Sequence, residues 1–182
     1  MLRLSENPPM VFPTVESITQ FEGTWWVAHT KSRFEKAFAW DLLRSEIGYF
    51  LPLIKRVTVS GGRKRHGMAP LFQSYVFFCG QGEDRYTAMT TDRLCQTIPV
   101  ADQKRFVAEI AAIEKGLAGR MQLDPYPFAA VGNRCRVRSG PLQGMEGVVV
   151  QRGKLSRLVL EVNALGQGAA VEIEADLLEP AD

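Results

Sequence analysis

The chain has 182 residues, 46% of them hydrophobic and 23% charged, a globular composition that excludes disorder throughout and leaves room for one domain or two small ones. Its longest apolar runs, such as Tyr75 to Cys79 and Val148 to Val150, fall far short of the roughly 20 residues a membrane-crossing helix needs. A net charge of +2 does not by itself mark a nucleic-acid binder, but residues 1–118 hold 15 Lys/Arg against 12 Asp/Glu while residues 119–182 hold 7 against 8. Within the basic part, Lys55, Arg56, Arg63, Lys64 and Arg65 occur with no acid between them, so a local positive stripe has to be explained.

The first twenty residues have one early arginine but no continuous apolar core and no small-residue cleavage site, so no secretory signal is indicated and a cytoplasmic location is expected. Cys79, Cys95 and Cys135 match neither a disulfide framework nor a zinc site, and buried, reduced thiols are expected. Residues 1–22 mix Pro8, Pro9 and Pro13 with polar residues and read as a poorly ordered leader that tolerates truncation.

TWWVAHT, Thr24 to Thr30, has the aromatic and apolar content of a central strand buried on both faces. Ser32 and Glu35 then have the spacing of a capping box, and Phe34, Phe38 and Leu42 recur every four residues, predicting a helix that lies on the sheet and ends near Gly48. YFLPLI is strand-like, with Pro52 marking an edge or bulge. The stretch SGGRKRHG combines turn glycines with clustered charge before the strand LFQSYVFFC, which places Arg63, Lys64 and Arg65 at a hairpin tip. By alternation Tyr75 and Phe77 share one face of that strand, Val76 and Phe78 the other. Leu94 to Val100 supplies one more strand, and Phe106, Ile110, Ile113 and Leu117 outline a further helix after Asp102.

Gly116, Gly119 and the DPYP stretch break that helix and read as an irregular linker over residues 119–130, with domains at 23–118 and 131–182. The second domain carries short valine-rich runs (RCRVR, GVVV, RLVLEV, AVEIE) separated by glycine turns, the pattern of a small five-stranded all-β barrel.

No catalytic constellation emerges. His29 and His66 are the only histidines and neither accompanies a serine or cysteine in a nucleophile motif; Gly140, Gly144 and Gly147 lie between strands and open no phosphate-binding helix; Glu172 and Glu174 alternate on a strand and read as a solvated face. No enzyme, cofactor or metal is expected. An aromatic strand face beside a basic hairpin points to binding.

WWVAHTKSRFEKAFAWDLL, YFLPLIKR and APLFQSYVFFCG, in that order, resemble the amino-terminal domain of the NusG family of transcription elongation factors, and VGNRCRVRSGPLQGMEGVVV resembles a KOW module. The resemblance spans roughly Gly23 to Pro180. It implies an α+β fold class: an amino-terminal α/β sandwich, an antiparallel sheet with helices, followed by a small all-β SH3-like KOW barrel. It also implies a monomer that docks on the clamp helices of RNA polymerase through His29, Phe72, Tyr75 and Phe77, favours processive, pause-resistant elongation or antitermination, and approaches upstream or non-template DNA with Lys31, Arg33 and Lys36, extended by Arg63, Lys64 and Arg65.

The KOW barrel of the family recruits a small-subunit ribosomal protein or the termination factor Rho. Where many relatives have Phe-Gly-Arg in the partner loop, this chain has Leu165, Gly166 and Gln167, losing an aromatic anchor and a cation. That departure favours a specialised, operon-specific paralogue over a general factor. The competing expectation is an RNA-binding or ribosome-associated KOW protein, for which Arg134, Arg136 and Arg138 would form the basic face. Refolding of the barrel into helices is opposed by the strand character of Val148 to Val150 and Leu158 to Val162.

Overall fold

The computed structural model describes residues 6–126, 132–152 and 155–181, with the side chains of Thr58, Ser60, Arg65, Gln151, Arg152, Leu155 and Ala175 also outside that set. The chain divides into two compact units, Met1–Gln103 and Lys104–Asp182, so the division falls at the start of the helix after Asp102, where the sequence places its boundary beyond that helix.

In the first unit β1 (Val11–Phe12), β2 (Thr24–Thr30), β3 (Gly48–Phe50), β6 (Tyr75–Gly80) and β7 (Leu94–Pro99) form an antiparallel sheet in the order β1-β3-β6-β2-β7. Between them lie α1 (Glu35–Arg44), a separate two-stranded ribbon of β4 (Leu53–Ser60) and β5 (Arg63–Pro70), and α2 (Gly82–Met89). The central strand β2 is flanked by β6 and β7 and alternates two apolar faces. One face packs on α1, whose Phe38, Ala39 and Leu42 are buried with Ala28, Val76 and Phe78; the Phe38 ring meets Phe78 edge-on at 6.2 Å. Pro52 interrupts the YFLPLI run as its missing N–H requires, so β3 and β4 belong to different sheets.

Several local expectations are corrected. Glu35 does not close a capping box with Ser32; Phe34 is the residue at the amino end of α1 and makes no side-chain cap bond. The helix ends at Arg44, and the left-handed residue that reverses the chain is Glu46, with φ 55, not Gly48, which already opens β3. The helix α2 has no strong apolar stripe to announce it; its start is fixed by the Gln81 N–H donating to Asp84 Oδ2 at 2.6 Å. Of the three thiols only Cys79 is buried, and burial, with the Asp84 charge second, pushes it up to about 11; Cys95 is exposed and Cys135 half-buried.

The leader is also ordered over its described part, and the reason is packing. Val11 and Phe12 pair with Phe50 and Tyr49, the Tyr49 hydroxyl donates to the Pro9 carbonyl at 3.0 Å, and the Leu51 N–H donates to Met10 O at 2.7 Å. Ile18 is fully buried and Phe21 stacks on Trp25 at 5.3 Å. Three prolines restrict the segment without preventing it from covering the sheet edge.

The second unit contains α3 (Gln103–Ala118) and a six-stranded antiparallel sheet of β8 (Asp124–Tyr126), β9 (Asn133–Val137), β10 (Glu146–Arg152), β11 (Leu155–Val162), β12 (Gln167–Glu172) and β13 (Leu178–Pro180), ordered β13-β9-β10-β11-β12-β8. Val148, Leu158, Val159, Leu160 and Val162 form its buried centre, all on strands. Gly147 is required there by space: a Cβ would lie 2.5 Å from the Val159 carbonyl oxygen. The sixth strand corrects the linker expectation. Asp124 to Tyr126 pairs with Ala170 to Gly168, and Arg157 anchors it through Asp124 at 2.6 Å; residues 127–131 of the expected linker and barrel start lie outside the described residues.

Ile18→Ala should lower the unfolding free energy by about 2–5 kcal/mol, the range for emptying a buried aliphatic site. Urea denaturation checks this, and a disordered leader would give no change.

Candidate polymerase and nucleic-acid interface

The register of β2 on β6 sets His29 opposite Tyr75 and Val27 opposite Phe77. The His29 and Tyr75 rings stack at 5.0 Å with an interplanar angle of 22°, and both are half-buried. Phe72 and Phe77 are buried, with Phe77 against Phe72 at 5.7 Å and against Phe50 at 6.2 Å. The four expected aromatic contacts therefore divide. His29 and Tyr75 reach the surface, while Phe72 and Phe77 are buried, because Phe50 and Phe72 pack on the Phe77 ring at a position that strand alternation alone leaves open.

That connection is held by a long-range bond. Glu35, 7% exposed, accepts from the Ser74 N–H through Oε1 at 2.7 Å, and the Ser74 carbonyl accepts from the Thr30 N–H at 2.8 Å. Ser74 has φ 65, a conformation disfavoured for a residue with a Cβ, so outside contacts must over-determine it. Glu35 thus fixes the turn from Phe72 to Tyr75 and starts α1. Its place in the sequence suggests a cap, and nothing local in the sequence signals a partner 39 residues away.

The cations after β2 are partly occupied. Lys31 Nζ donates to Asp92 Oδ1 at 2.7 Å, and this hydrogen bond, with the lysine charge, holds the Asp92 carboxyl below the ordinary aspartate range. Lys36 Nζ donates to the Met68 carbonyl at 2.6 Å, and burial lowers the Lys36 ammonium against the raising effect of Glu35. Arg33, with φ 67, is exposed.

Arg33 and Lys36 line an open cleft of about 1080 Å³ between α1 and the base of the ribbon, together with Trp40, Arg44, Arg56 and Arg93. Asp41 takes up two of these cations, with Arg44 at 2.6 Å and Arg93 at 3.0 Å, and Arg93 also lies 5.1 Å over the Phe34 ring. Among the described residues no acid pairs with Arg33 or Arg56. Sequence reasoning assigned Arg56 only to a basic cluster and did not single out Trp40 or Arg93; their convergence is tertiary.

At the ribbon tip Gly61 and Gly62 have φ 57 and 73, the two-residue turn that matches strand twist. Arg63 and Lys64 are exposed directly after it, opposite Ser60 and Val59, whereas the Arg65 side chain lies outside the described residues. In the second unit Leu165 ends a short helical turn, Gly166 has φ 61 and Gln167 opens β12; Leu165 and Gln167 are half-buried and Gly166 is exposed.

The arginines of β9 and Arg138 just after it are tied to neighbouring groups. Arg134 pairs with Glu161 at 3.3 Å, Arg136 with Glu146 at 2.5 Å, and Arg138 donates to the Asp176 carbonyl. Among the described residues there is no group of three or more His, Cys, Asp or Glu able to hold a metal, and no helix is long and apolar enough to cross a membrane.

Comparison with known proteins gives one family. The profile described as "Transcription termination factor nusG" matches residues 23–108. No curated protein matches the sequence. Among solved structures, one titled "Domain interaction in Thermotoga maritima NusG" superposes with a TM-score of 0.51 at 18% identity, covering 88% of this chain and 98% of that one, a likeness of fold. A structure titled "Crystal Structure of MjSpt4:Spt5 complex conformation B" matches at 14% identity over 87% of this chain and 97% of that one, with a TM-score of 0.28.

Glu35→Ala should destabilise the chain by about 1–3 kcal/mol, because the Ser74 N–H loses its acceptor. Chemical denaturation measures the loss, and Tyr75 ring resonances in NMR should broaden or shift; an unchanged Tyr75 environment would show that the loop holds its shape without Glu35.

Proposed function

Since residues 23–108 make this chain a member of the NusG family, a family of non-enzymatic transcription elongation factors, we propose that it binds RNA polymerase through its first unit and favours processive elongation or antitermination. The observation that carries this reading is the His29–Tyr75 pair, two stacked, half-buried rings on neighbouring strands at positions matching the family's polymerase-docking strands. A stacked, half-buried aromatic pair loses little side-chain entropy on docking. The pair contacts the clamp helices, and a factor that binds the closed clamp better than the open one shifts the population toward the pause-resistant complex by that affinity difference.

Nucleic acid runs over the same unit. Arg33 and Arg56 in the α1 cleft, with Arg63, Lys64 and Arg65 on the ribbon, neutralise phosphates of upstream or non-template DNA without reading sequence. Lys31 and Lys36 contribute less than their charge suggests, since Asp92 and the Met68 carbonyl engage them. Residues 131–182 act as the KOW domain, recruiting a small-subunit ribosomal protein or Rho through Leu165, Gly166 and Gln167, and the chain serves particular operons in the cytoplasm. The RNA-binding alternative is disfavoured because Arg134 pairs with Glu161, Arg136 with Glu146 of the adjacent strand β10, and Arg138 donates to a carbonyl.

Tyr75→Ala and His29→Ala should each weaken binding of the full chain to core RNA polymerase by about tenfold or more while leaving the thermal midpoint nearly unchanged, as expected for an interface aromatic at 1.4 kcal/mol per tenfold. Equal affinity of folded variant and native chain in a fluorescence titration would remove the pair from the interface. For the cations, Arg56→Ala and Arg63→Ala should each reduce the slope of log K against log salt for DNA by about 0.7–0.9, one phosphate contact apiece. A slope that does not move assigns those side chains to solvent.

A further inference from the structure

Residues 6–22 precede the stretch that the family profile matches, and the function proposed above gives them no part in binding. They are nevertheless fastened at several points. Ile18 is fully buried, Phe21 stacks on Trp25, Val11 and Phe12 pair with Phe50 and Tyr49, and the Pro9 carbonyl accepts from the Tyr49 hydroxyl at 3.0 Å. Pro8 is buried beside that last anchor, and one residue, the half-buried Asn7, separates it from Glu6. Successive prolines fix φ at Pro8 and Pro9, and the residue before a proline is itself restricted, so the backbone from Asn7 to Pro9 is stiff. The leader therefore delivers Glu6 to a defined place.

That place is the basic cleft at α1, which Glu6 lines together with Arg33, Lys36 and Arg56. Two other acids among the described residues line it, and both are committed elsewhere: Glu35 accepts from the Ser74 N–H at 2.7 Å, and Asp41 pairs with Arg44 at 2.6 Å and with Arg93 at 3.0 Å. Arg33 and Arg56 have no such acid, and Glu6 is exposed, so its carboxylate stands in solvent where an anion approaching those two arginines has to pass. A negative charge there opposes each entering phosphate and offsets part of the field that draws phosphate in.

We propose that the anchored leader is a built-in competitor for the cleft: it holds the Glu6 carboxylate there as an internal anion, and a DNA phosphate enters against it, so that the affinity for DNA is set by the leader as well as by Arg33 and Arg56. This rests on the phosphate-binding reading of the cleft. A cleft tuned down in this way holds free DNA weakly and fills where DNA is already held close by, at the high effective concentration that a bound polymerase provides.

Titration of the full chain with a fluorescent single-stranded DNA of about 12 nucleotides tests it. Glu6→Gln, a near-isosteric change at an exposed position, should bind about twofold to fivefold tighter at low salt, with the gain shrinking as salt is added. Glu16→Gln changes the net charge equally from an exposed leader position that does not line the cleft, and should leave the affinity close to that of the native chain. In a chain that also carries Arg33→Ala and Arg56→Ala, the gain from Glu6→Gln should disappear. If Glu6→Gln binds as the native chain does while the arginine pair of substitutions weakens binding, the leader has no part in the cleft and the proposal falls with the cleft reading intact. An equal gain from Glu16→Gln, or a gain that survives loss of both arginines, also overturns it, because Glu6 would then act only through the charge of the whole molecule. If the arginine substitutions change nothing, the cleft reading fails and takes the proposal with it.

Discussion

A single buried carboxylate organises the first unit. Glu35 stands on the first turn of α1 and accepts the Ser74 N–H across 39 residues of sequence, while Ser74 in turn accepts the Thr30 N–H at the end of the central strand. Three pieces of chain that carry different chemistry are thereby held in one geometry: the strand with His29, the turn leading to Tyr75, and the helix with Lys36 and Trp40. A hydrogen bond of this kind is worth little net in water, but here an unfavourable Ser74 φ and a buried acceptor would both be left uncompensated without it. The aromatic surface and the basic cleft consequently share one structural origin, which fits the proposed docking on a polymerase and its nucleic acid at once.

The elements legible in the sequence are those whose signal is periodic and local. β2, α1, β6 and the β4–β5 ribbon follow from apolar period and from Gly61–Gly62, and the strands of the second unit from valine runs between glycine turns. The misses have a common physical cause. α2, β1 and β8 are short and carry weak patterns of their own; they exist because an edge or a neighbouring strand offers partners, as Phe50 does for Val11 and Ala170 for Asp124. Proline content made residues 6–22 look disordered, yet a buried Ile18 outweighs it.

The site was legible in direction and not in depth. Alternation correctly groups Tyr75 with Phe77, but which of them meets solvent is decided by Phe50 and Phe72, which arrive from elsewhere in the chain. Likewise a count of positive residues overstates the available charge: Asp41 takes up Arg44 and Arg93 and Asp92 takes up Lys31, while Arg33 and Arg56, far apart in sequence, line one cleft with no acid paired to them among the described residues. Net charge of +2 is thus compatible with a local field strong enough to matter, since pairing has removed the other charges from competition.

The two-stranded ribbon has a further consequence. It belongs to neither larger sheet, so the outer backbone of both β4 and β5 is without a neighbouring strand in the sheet order. Val57 and Val59 are 53% and 68% exposed on it, an arrangement that invites ribbons of separate molecules to add to one another edge to edge. Lys64 stands directly across from Val59, and Lys55 lies two residues before Val57 on the same face. The cations proposed above to meet phosphate then also oppose the approach of a second copy's ribbon, a repulsion that is strongest at low ionic strength and that nucleic acid on the proposed surface would cancel.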